Sequence, residues 1–352
     1  MNLFTPFRVH GTELKNRIAV SPMCEYSAQD GHPTHWHFVH LGSRAVGGAA
    51  LVFTEATAVS AIGRISPADT GIYLDSHVDS WRPIVEFIRE QGAVPGIQLA
   101  HAGRKGSTGI PWLGGAPIPL ENGGWTPVAP SAIPFSTGYT MPRELSPAEI
   151  QQVVADFVAA ARRALRAGFQ MVEIHAAHGY LLQEFLSPLS NHRTDDYGGN
   201  FDNRVRALLQ VGGAVREVWP QDQPMFVRIS ATDWKENGWD LAQSVELSRR
   251  LKAVGVDLID VSSGGLVPGV SIPTGPGYQV GFASAIRRDV GVATGAVGMI
   301  SEPAQAETIL SSGQADIVLL AREMLRDPYW PRRAAQTLGV KIKPPVQYER
   351  AW

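Results

Sequence analysis

The sequence predicts a single (β/α)₈ barrel, on three observations. An amphipathic helix, a glycine and a short apolar run recur in that order along the chain. Eight such runs occur, and each ends in glycines or polar side chains. Strands alternating with helices imply parallel pairing, and eight units in 352 residues favour a closed barrel over an open sheet. A doubly wound sheet would need a Gly-x-Gly-x-x-Gly turn after an early strand, and none stands there.

The expected strands are 18–21, 50–54, 96–99, 171–175, 226–229, 258–261, 290–293 and 316–320. The clearest helix starts at Ser146. Ser146 is the N-cap, Pro147 suits the first helical position, and Glu149 closes a capping box. Ile150, Val153, Val154, Phe157, Ala161 and Leu165 follow at helical spacing, and Gly168 ends the run. A second helix runs through Leu241, Val245 and Leu251 to Gly255. A third starts at Ser301-Glu302-Pro303 and ends at Gly313.

Residues 102–143 break the rhythm. They are rich in Pro, Gly and Trp and show no period, and a loop of that length is usually functional. The segment is expected to cap the barrel mouth within one domain spanning 1–352, with 341–352 as a C-terminal tail.

Composition narrows the partners. Net charge is −2, from 31 basic and 33 acidic residues, with no basic stripe, which argues against nucleic acid. The single cysteine, Cys24, cannot form an intrachain disulfide, an iron–sulfur cluster or a Cys-based zinc site. The first 17 residues hold no apolar signal region, and no apolar run reaches membrane-spanning length. A soluble cytoplasmic protein is expected.

In such barrels the site lies at the C-terminal ends of the strands. Those ends carry, in order, Ser21-Pro22-Met23-Cys24-Glu25-Tyr26, Glu55-Ala56-Thr57, Gln98 with His101, and His175-Ala176-Ala177-His178-Gly179-Tyr180. Then come Arg228, Ser262-Ser263-Gly264-Gly265, Gly295-Ala296-Val297-Gly298 and Ala321-Arg322. The last three suit a phosphate: glycines admit backbone N–H groups and Arg322 offers a bidentate partner. The helix after Ser301 adds its N-terminal dipole if its axis points there.

His175 and His178 admit three readings: zinc ligands, a structural pair, or paired hydrogen-bond donors to a substrate oxygen. Zinc is disfavoured because no carboxylate completes the set and His-Glu-x-x-His is absent. With donors, Tyr180 supplies a proton, since a phenol stays protonated at neutral pH. The cluster His35, Trp36, His37, His40 opens a helix and reads as structural. The run from Arg193 to Asn200 reads as a loop organised by Asp–Arg contacts, with Arg204 as a further partner.

Together these stretches resemble the Old Yellow Enzyme family, especially its thermophilic-like branch. The likeness runs in order through Ser21-Pro22-Met23-Cys24, Glu55-Ala56-Thr57, Gln98-Leu99-Ala100-His101-Ala102-Gly103-Arg104-Lys105, His175 to Tyr180, Arg193 to Gly199, Gly295 to Gly298 and Gln347 to Trp352. The resemblance implies an NADPH dehydrogenase or ene-reductase. FMN would bind at the barrel mouth, with its phosphate at Arg322, Ala321, Gly295 and Gly298. Arg228 would lie beside the N1–C2 carbonyl, Gln98 at the pyrimidine edge, and Ala56 near C4 and N5. Ser21, Pro22, Met23 and Cys24 would line the flavin. NADPH or NADH would reduce FMN and leave. An activated alkene, an α,β-unsaturated carbonyl or nitro compound, would then bind through His175 and His178. It would receive hydride from N5 and a proton from Tyr180, with Tyr26 lining its pocket.

The resemblance also implies a homodimer or homotetramer in which Arg350 acts in a neighbouring subunit's site. Two departures stand out: Ala321-Arg322 replaces the branch's common Gly-Arg, and the segment after Lys105 is longer than usual. The alternative function is a cofactor-free barrel lyase or isomerase on a phosphorylated substrate, which leaves Gln98 and Arg228 unexplained.

Overall fold

The computed structural model describes residues 2–352. Eight strands form a closed parallel barrel: β1 (Ile18–Val20), β2 (Leu51–Ala58), β3 (Val94–Ala100), β4 (Met171–Ala176), β5 (Met225–Ser230), β6 (Leu258–Ser262), β7 (Ala293–Ala296) and β8 (Ile317–Leu320). Neighbours in sequence are neighbours in the sheet, and β8 closes on β1 through Val318 opposite Ile18. The helices are α1 (His35–Val46), α2 (Asp75–Glu90), α3 (Pro147–Ala167), α4 (Leu181–Leu186) and α5 (Phe201–Val218). They continue with α6 (Leu241–Ala253), α7 (Val280–Val290), α8 (Pro303–Ser311), α9 (Arg322–Arg326) and α10 (Trp330–Thr337).

The α3 start follows its sequence signal. Glu149 N–H donates to Ser146 Oγ at 3.3 Å, while Ser146 N–H donates to Glu149 Oε2 at 2.9 Å. Gly168 ends the helix at φ +96°, a left-handed conformation that disfavours a Cβ. One strand differs from expectation. The apolar run 290–293 is split, because Val290 is the last residue of α7 and Gly291 is its left-handed cap. The seventh strand is therefore Ala293–Ala296, and Gly295 lies inside it, paired with Asp260 and Ile317.

Side chains alternate across a strand, so every second residue enters the barrel. That period stacks the interior in layers. The floor is apolar: Leu51, Phe53, Met171, Phe226, Leu258 and Leu319 pack with Val9 and Leu14 of an N-terminal hairpin. Two residues further along three of those strands stand Glu173, Arg228 and Asp260. Two further again stand His175, Ser230 and Ser262. The barrel thus turns from oil to polar groups toward its C-terminal mouth.

Residues 102–143 leave the barrel after β3 and contain three single-turn helices and a two-residue strand, Val128–Ala129, paired with Arg143–Glu144. The segment is tied down on either side of an exposed apex at Trp112 and Leu113. Thr108 N–H donates to Ile65 O at 2.9 Å, Ile118 N–H to Ser107 O at 2.8 Å, and Trp125 Nε1 to Ile62 O at 3.0 Å.

The 193–200 loop is organised by Arg193, whose Nε donates to Asp195 Oδ1 at 2.9 Å. Arg204 does not join an Asp there. It donates instead to the Leu186 and Gly199 carbonyls at 2.7 and 2.6 Å, and Asn200 caps α5.

Candidate active site

The mouth is built around the end of β4. His175 closes the inward row of that strand, 3% exposed. Its Nδ1 accepts the Ala177 N–H at 3.3 Å, which leaves the proton of the neutral ring on Nε2. The chain then turns sharply at His178, which holds φ +59° without being glycine. Such strain persists only where surroundings fix it. Here Lys105 Nζ donates to His178 O at 2.8 Å and to Gly265 O at 2.7 Å, tying this turn to the β6 loop. The two backbones are so close that a Cβ on Gly179 would sit 2.3 Å from Gly265 O. His178 Nε2 lies 2.7 Å from Ser262 Oγ.

The two imidazoles stand edge to face at 5.2 Å, and Tyr180 meets His175 the same way at 5.1 Å. Burial, then the Arg228 charge, holds both histidines well below the usual imidazole range. They are neutral at physiological pH. Burial pushes the Tyr180 phenol well above its ordinary range, reinforced by Cys24, Tyr26 and Asp69, so it keeps its proton. Two neutral rings and a protonated phenol make a donor set for a substrate oxygen and a carbon.

Across the mouth, Cys24 is a half-buried free thiol. Burial, Asp69 and Glu55 raise it far above the ordinary thiol range, which leaves it a poor nucleophile. Burial, followed by Cys24, raises the Tyr26 hydroxyl too. Behind them Glu55 is locked by His37, with Nε2 to Oε1 at 2.8 Å, and accepts the Glu25 N–H at 2.8 Å. His40 Nε2 is 3.3 Å from Glu25 Oε1. Thus His37 and His40 brace the segment that carries Cys24 and Tyr26. Among the described residues, no group of three or more His, Cys, Asp or Glu side chains is placed to hold a metal.

Below the histidines, Arg228 Nη1 donates to Ser21 Oγ at 3.0 Å, and Gln98 Nε2 donates to Glu173 Oε1 at 2.7 Å. Arg228 and Gln98 are both buried, and Arg228 Nε lies 3.2 Å from Asp260 Oδ2 in an ion pair without an aligned hydrogen bond. Beside β7 and β8 opens a cavity of about 380 Å³ lined by Ser262, Gly298, Met299, Ser301, Ala321 and Arg322. Gly298 takes φ +118°, and a Cβ there would lie 2.7 Å from Gln279 Nε2, so the bend is open only to glycine. Ala321 has φ −101° and ψ −97°: its φ is not in the left-handed region that favours glycine, while its ψ lies outside the ordinary helical and extended ranges.

Most residues singled out in the sequence therefore gather at one end of the barrel. Gly295 does not: inside β7, a Cβ there would lie 2.5 Å from Leu319 Cδ1, so its smallness serves packing. The cavity lining passes from Ser301 to Leu319 without a residue of α8, so that helix supplies none of its wall. Arg350 is exposed on a tail whose Tyr348 packs on Tyr329 at 6.3 Å and whose Trp352 lies 5.8 Å from the Arg332 guanidinium. Sequence reading assigns no role to Glu173, Asp260 and Asp69, and it places Ser262 beside a phosphate where the structure sets it against His178. The signal for the first two was present: each is an acid at an inward position of an otherwise apolar strand.

The model of the NADH:flavin oxidoreductase / NADH oxidase family matches residues 2–340. An NADPH dehydrogenase of Geobacillus sp. (strain WCH70) is 51% identical, over 99% of this chain and 98% of the relative. One from Bacillus subtilis (strain 168) is 48% identical, over 99% of both chains. Among solved structures, morphinone reductase in complex with tetrahydroNAD superposes with a TM-score of 0.81 at 28% identity, covering 99% of this chain and 94% of that one. The Old Yellow Enzyme homologue from Zymomonas mobilis gives a TM-score of 0.80 at 28% identity, covering 99% and 96%. With its parallel barrel and its polar mouth, the chain belongs to the NADH:flavin oxidoreductase / NADH oxidase family, that of the Old Yellow Enzymes.

Proposed function

We propose that this protein is an FMN-dependent ene-reductase that uses NADPH or NADH to saturate the C=C bond of an α,β-unsaturated carbonyl or a nitroalkene. The observation that carries this is the convergence of two neutral imidazoles and a protonated phenol on one turn above a buried arginine.

The residues present fit FMN. In a buried layer, Gln98 makes one side-chain hydrogen bond, from Nε2 to Glu173, and Arg228 one, from Nη1 to Ser21, beside its ion pair with Asp260. The cavity beside β7 and β8 brings Arg322, Ala321 and the Gly298 backbone to one concave wall suited to a phosphate. Arg228 and Gln98 would hold the pyrimidine side, Ser21, Pro22, Met23, Cys24 and Ala56 the ring, and Arg322 the phosphate. When bound, FMN supplies two-electron chemistry, accepting hydride from the nicotinamide and passing it to the alkene β-carbon.

The chain's own residues do the rest. His175 donates from Nε2 to the acceptor's carbonyl or nitro oxygen, and His178 is the second donor. Their hydrogen bonds strengthen as negative charge builds on that oxygen, which lowers the barrier. Tyr180 gives its hydroxyl proton to Cα. Because neither ring is charged, the oxygen is polarised without being protonated. Cys24 and Tyr26 shape the opposite wall. The work belongs in the cytoplasm, with the nicotinamide pool; no helix among the described residues is long and apolar enough to cross a membrane.

Anaerobic stopped-flow with 2-cyclohexenone tests the reading. NADPH should bleach the flavin absorbance, and the enone should restore it. Bleaching without recovery across a panel of enones and nitroalkenes would leave a flavin reductase and no ene-reductase.

The assembly would be a homodimer, or a dimer of such dimers, in which Arg350 of the partner subunit enters the substrate side of the mouth. The exposed tail supports this, since its apolar Val346, Tyr348 and Trp352 are left partly uncovered on one chain. Arg350→Ala should raise KM for the alkene and leave NADPH-driven bleaching unchanged. An unchanged KM would remove Arg350 from the site.

A further inference from the structure

Two acids inside the barrel have no part in the chemistry above. Glu173 and Asp260 are both fully buried, in the layer between the apolar floor and the histidines. Arg228 is the cation of that layer, and its Nε lies 3.2 Å from Asp260 Oδ2, an ion pair in which neither Asp260 oxygen has an aligned hydrogen bond. Glu173 has a different partner: its Oε1 accepts from Gln98 Nε2 at 2.7 Å, and its Oε2 has no hydrogen bond.

The charges of this layer do not balance if both acids are ionised. Arg228 compensates one carboxylate, and the other would be an unpaired anion in a water-poor interior, which costs more than binding a proton. Every group around Glu173 agrees. From β3 it faces the neutral Gln98, from β5 Arg228 already paired, and from β6 the like-charged Asp260. On its own strand it faces His175, which is neutral, and below it lie Phe53, Met171 and Phe226. Burial, then Asp260, pushes the Glu173 carboxyl well above the usual range, whereas Asp260, beside Arg228, reaches only about 6.

We infer that Glu173 is a positioning residue: as a neutral carboxylic acid it holds the one proton of the Glu173–Asp260 pair and keeps Gln98 with its amide oxygen turned to the cofactor. Asp260 is the anion that balances Arg228. This inference rests on the FMN reading only for its consequence, which is the charge and hydrogen-bond pattern presented to the flavin. A residual positive field at Arg228 favours the negative charge gained on reduction, and an ionised Glu173 would oppose it.

The test separates the proton from the cofactor. In FMN-free protein, the infrared difference spectrum of wild type minus Glu173→Gln, taken in H₂O and D₂O, should show the carbonyl stretch of a protonated, deuterium-sensitive carboxyl at neutral pH; the subtraction removes the bands of Glu184 and Asp69, buried acids raised to about 8 and about 7. Absence of that difference band would overturn the assignment. In FMN-loaded protein, Glu173→Gln mimics the neutral acid and should leave the flavin midpoint potential at the wild-type value. The double variant Glu173→Gln/Asp260→Asn should raise it, because Arg228 is then unopposed. A rise in the single variant as large as in the double would mean that Glu173 is ionised. Glu173→Leu, which strands the Gln98 amide, should weaken FMN binding by about tenfold where Glu173→Gln does not; equal affinity in both would remove the positioning role. If the wild type took up no FMN, the functional reading would fail while the infrared result still stood.

Discussion

The turn after β4 and the apex of segment 102–143 both border the mouth, yet they are held differently. The β4 turn is over-determined. The Ala177 N–H fixes one histidine, Lys105 clamps two carbonyls, Ser262 meets the other histidine, and two glycine backbones touch. Segment 102–143 is tied down on either side of its apex, through Lys105, Thr108, Trp125, Pro130 and Ser131, but the apex itself leaves Trp112 65% exposed and Leu113 more so. The difference teaches a division of labour. Groups that must meet a transition state within a fraction of an ångström need a rigid shell. Groups that only shape a wall do not.

The largest effect should come from breaking the rigid side. Tyr180→Phe removes the proton donor while keeping the ring against His175. Alkene reduction should fall by roughly a hundredfold or more, while flavin bleaching by NADPH keeps its rate. Single-turnover measurement of each half-reaction checks this. Equal slowing of both would take Tyr180 out of the proton-donor role and reduce it to packing.

A second test on the same side uses pH. His175 and His178 are buried and neutral, as are His101, held at about 4, and His77, also at about 4. Their folded pKa values lie below the unfolded value of about 6.5. The unfolded chain therefore binds more protons once pH drops beneath that value, so stability is full above it and declines below it. Each ring contributes a limiting slope of at most about 1.4 kcal/mol per pH unit. Buried acids act the other way: Asp69 and Glu184, raised to about 7 and about 8, are protonated in the folded chain before the unfolded one and add stability as pH falls. The histidine share is therefore read as a difference: as pH falls from about 6.5 to about 5, the Tm of His175→Asn should rise relative to that of the wild type. A constant difference over that window would mean that His175 is solvated or paired, contrary to its burial.

The two regions also differed in how well the sequence announced them. The barrel was readable because one period repeats eight times, and caps such as Ser146 and Gly168 carry their own chemistry. The histidines and Tyr180 were readable because they end a strand. The seventh strand was misplaced because Val290, Gly291, Val292 and Ala293 are all compatible with a strand, and only tertiary packing makes Val290 helical. Gly295 looked like a loop glycine for the same reason. The partners of Lys105 and Ser262 were not legible, since they lie 73 and 84 residues away. The course of 102–143 was not legible either, because a segment without period takes its shape from what it lands on, here Ile62 and Ile65.

The smallest effect should come from the loosely held side, and it decides whether that side matters at all. Trp112 sets its ring edge-on to Tyr26, with centroids 5.9 Å apart and planes at 84°. Tyr26 itself holds φ +46°, a strained backbone facing the substrate wall. An edge-to-face aromatic pair is worth roughly 0.5–1.5 kcal/mol beyond its area, which is about two- to tenfold in an equilibrium constant. Trp112→Ala should therefore change KM for a bulky cyclic enone by about that factor. It should leave kcat with a small enone, and the NADPH half-reaction, as they were. Measuring KM and kcat separately over a size series of enones reads this directly. A drop in kcat across the whole series would show that the capping segment helps to hold the β4 donors. Rigidity would then be shared by both sides of the mouth, and the contrast between them would be one of exposure only.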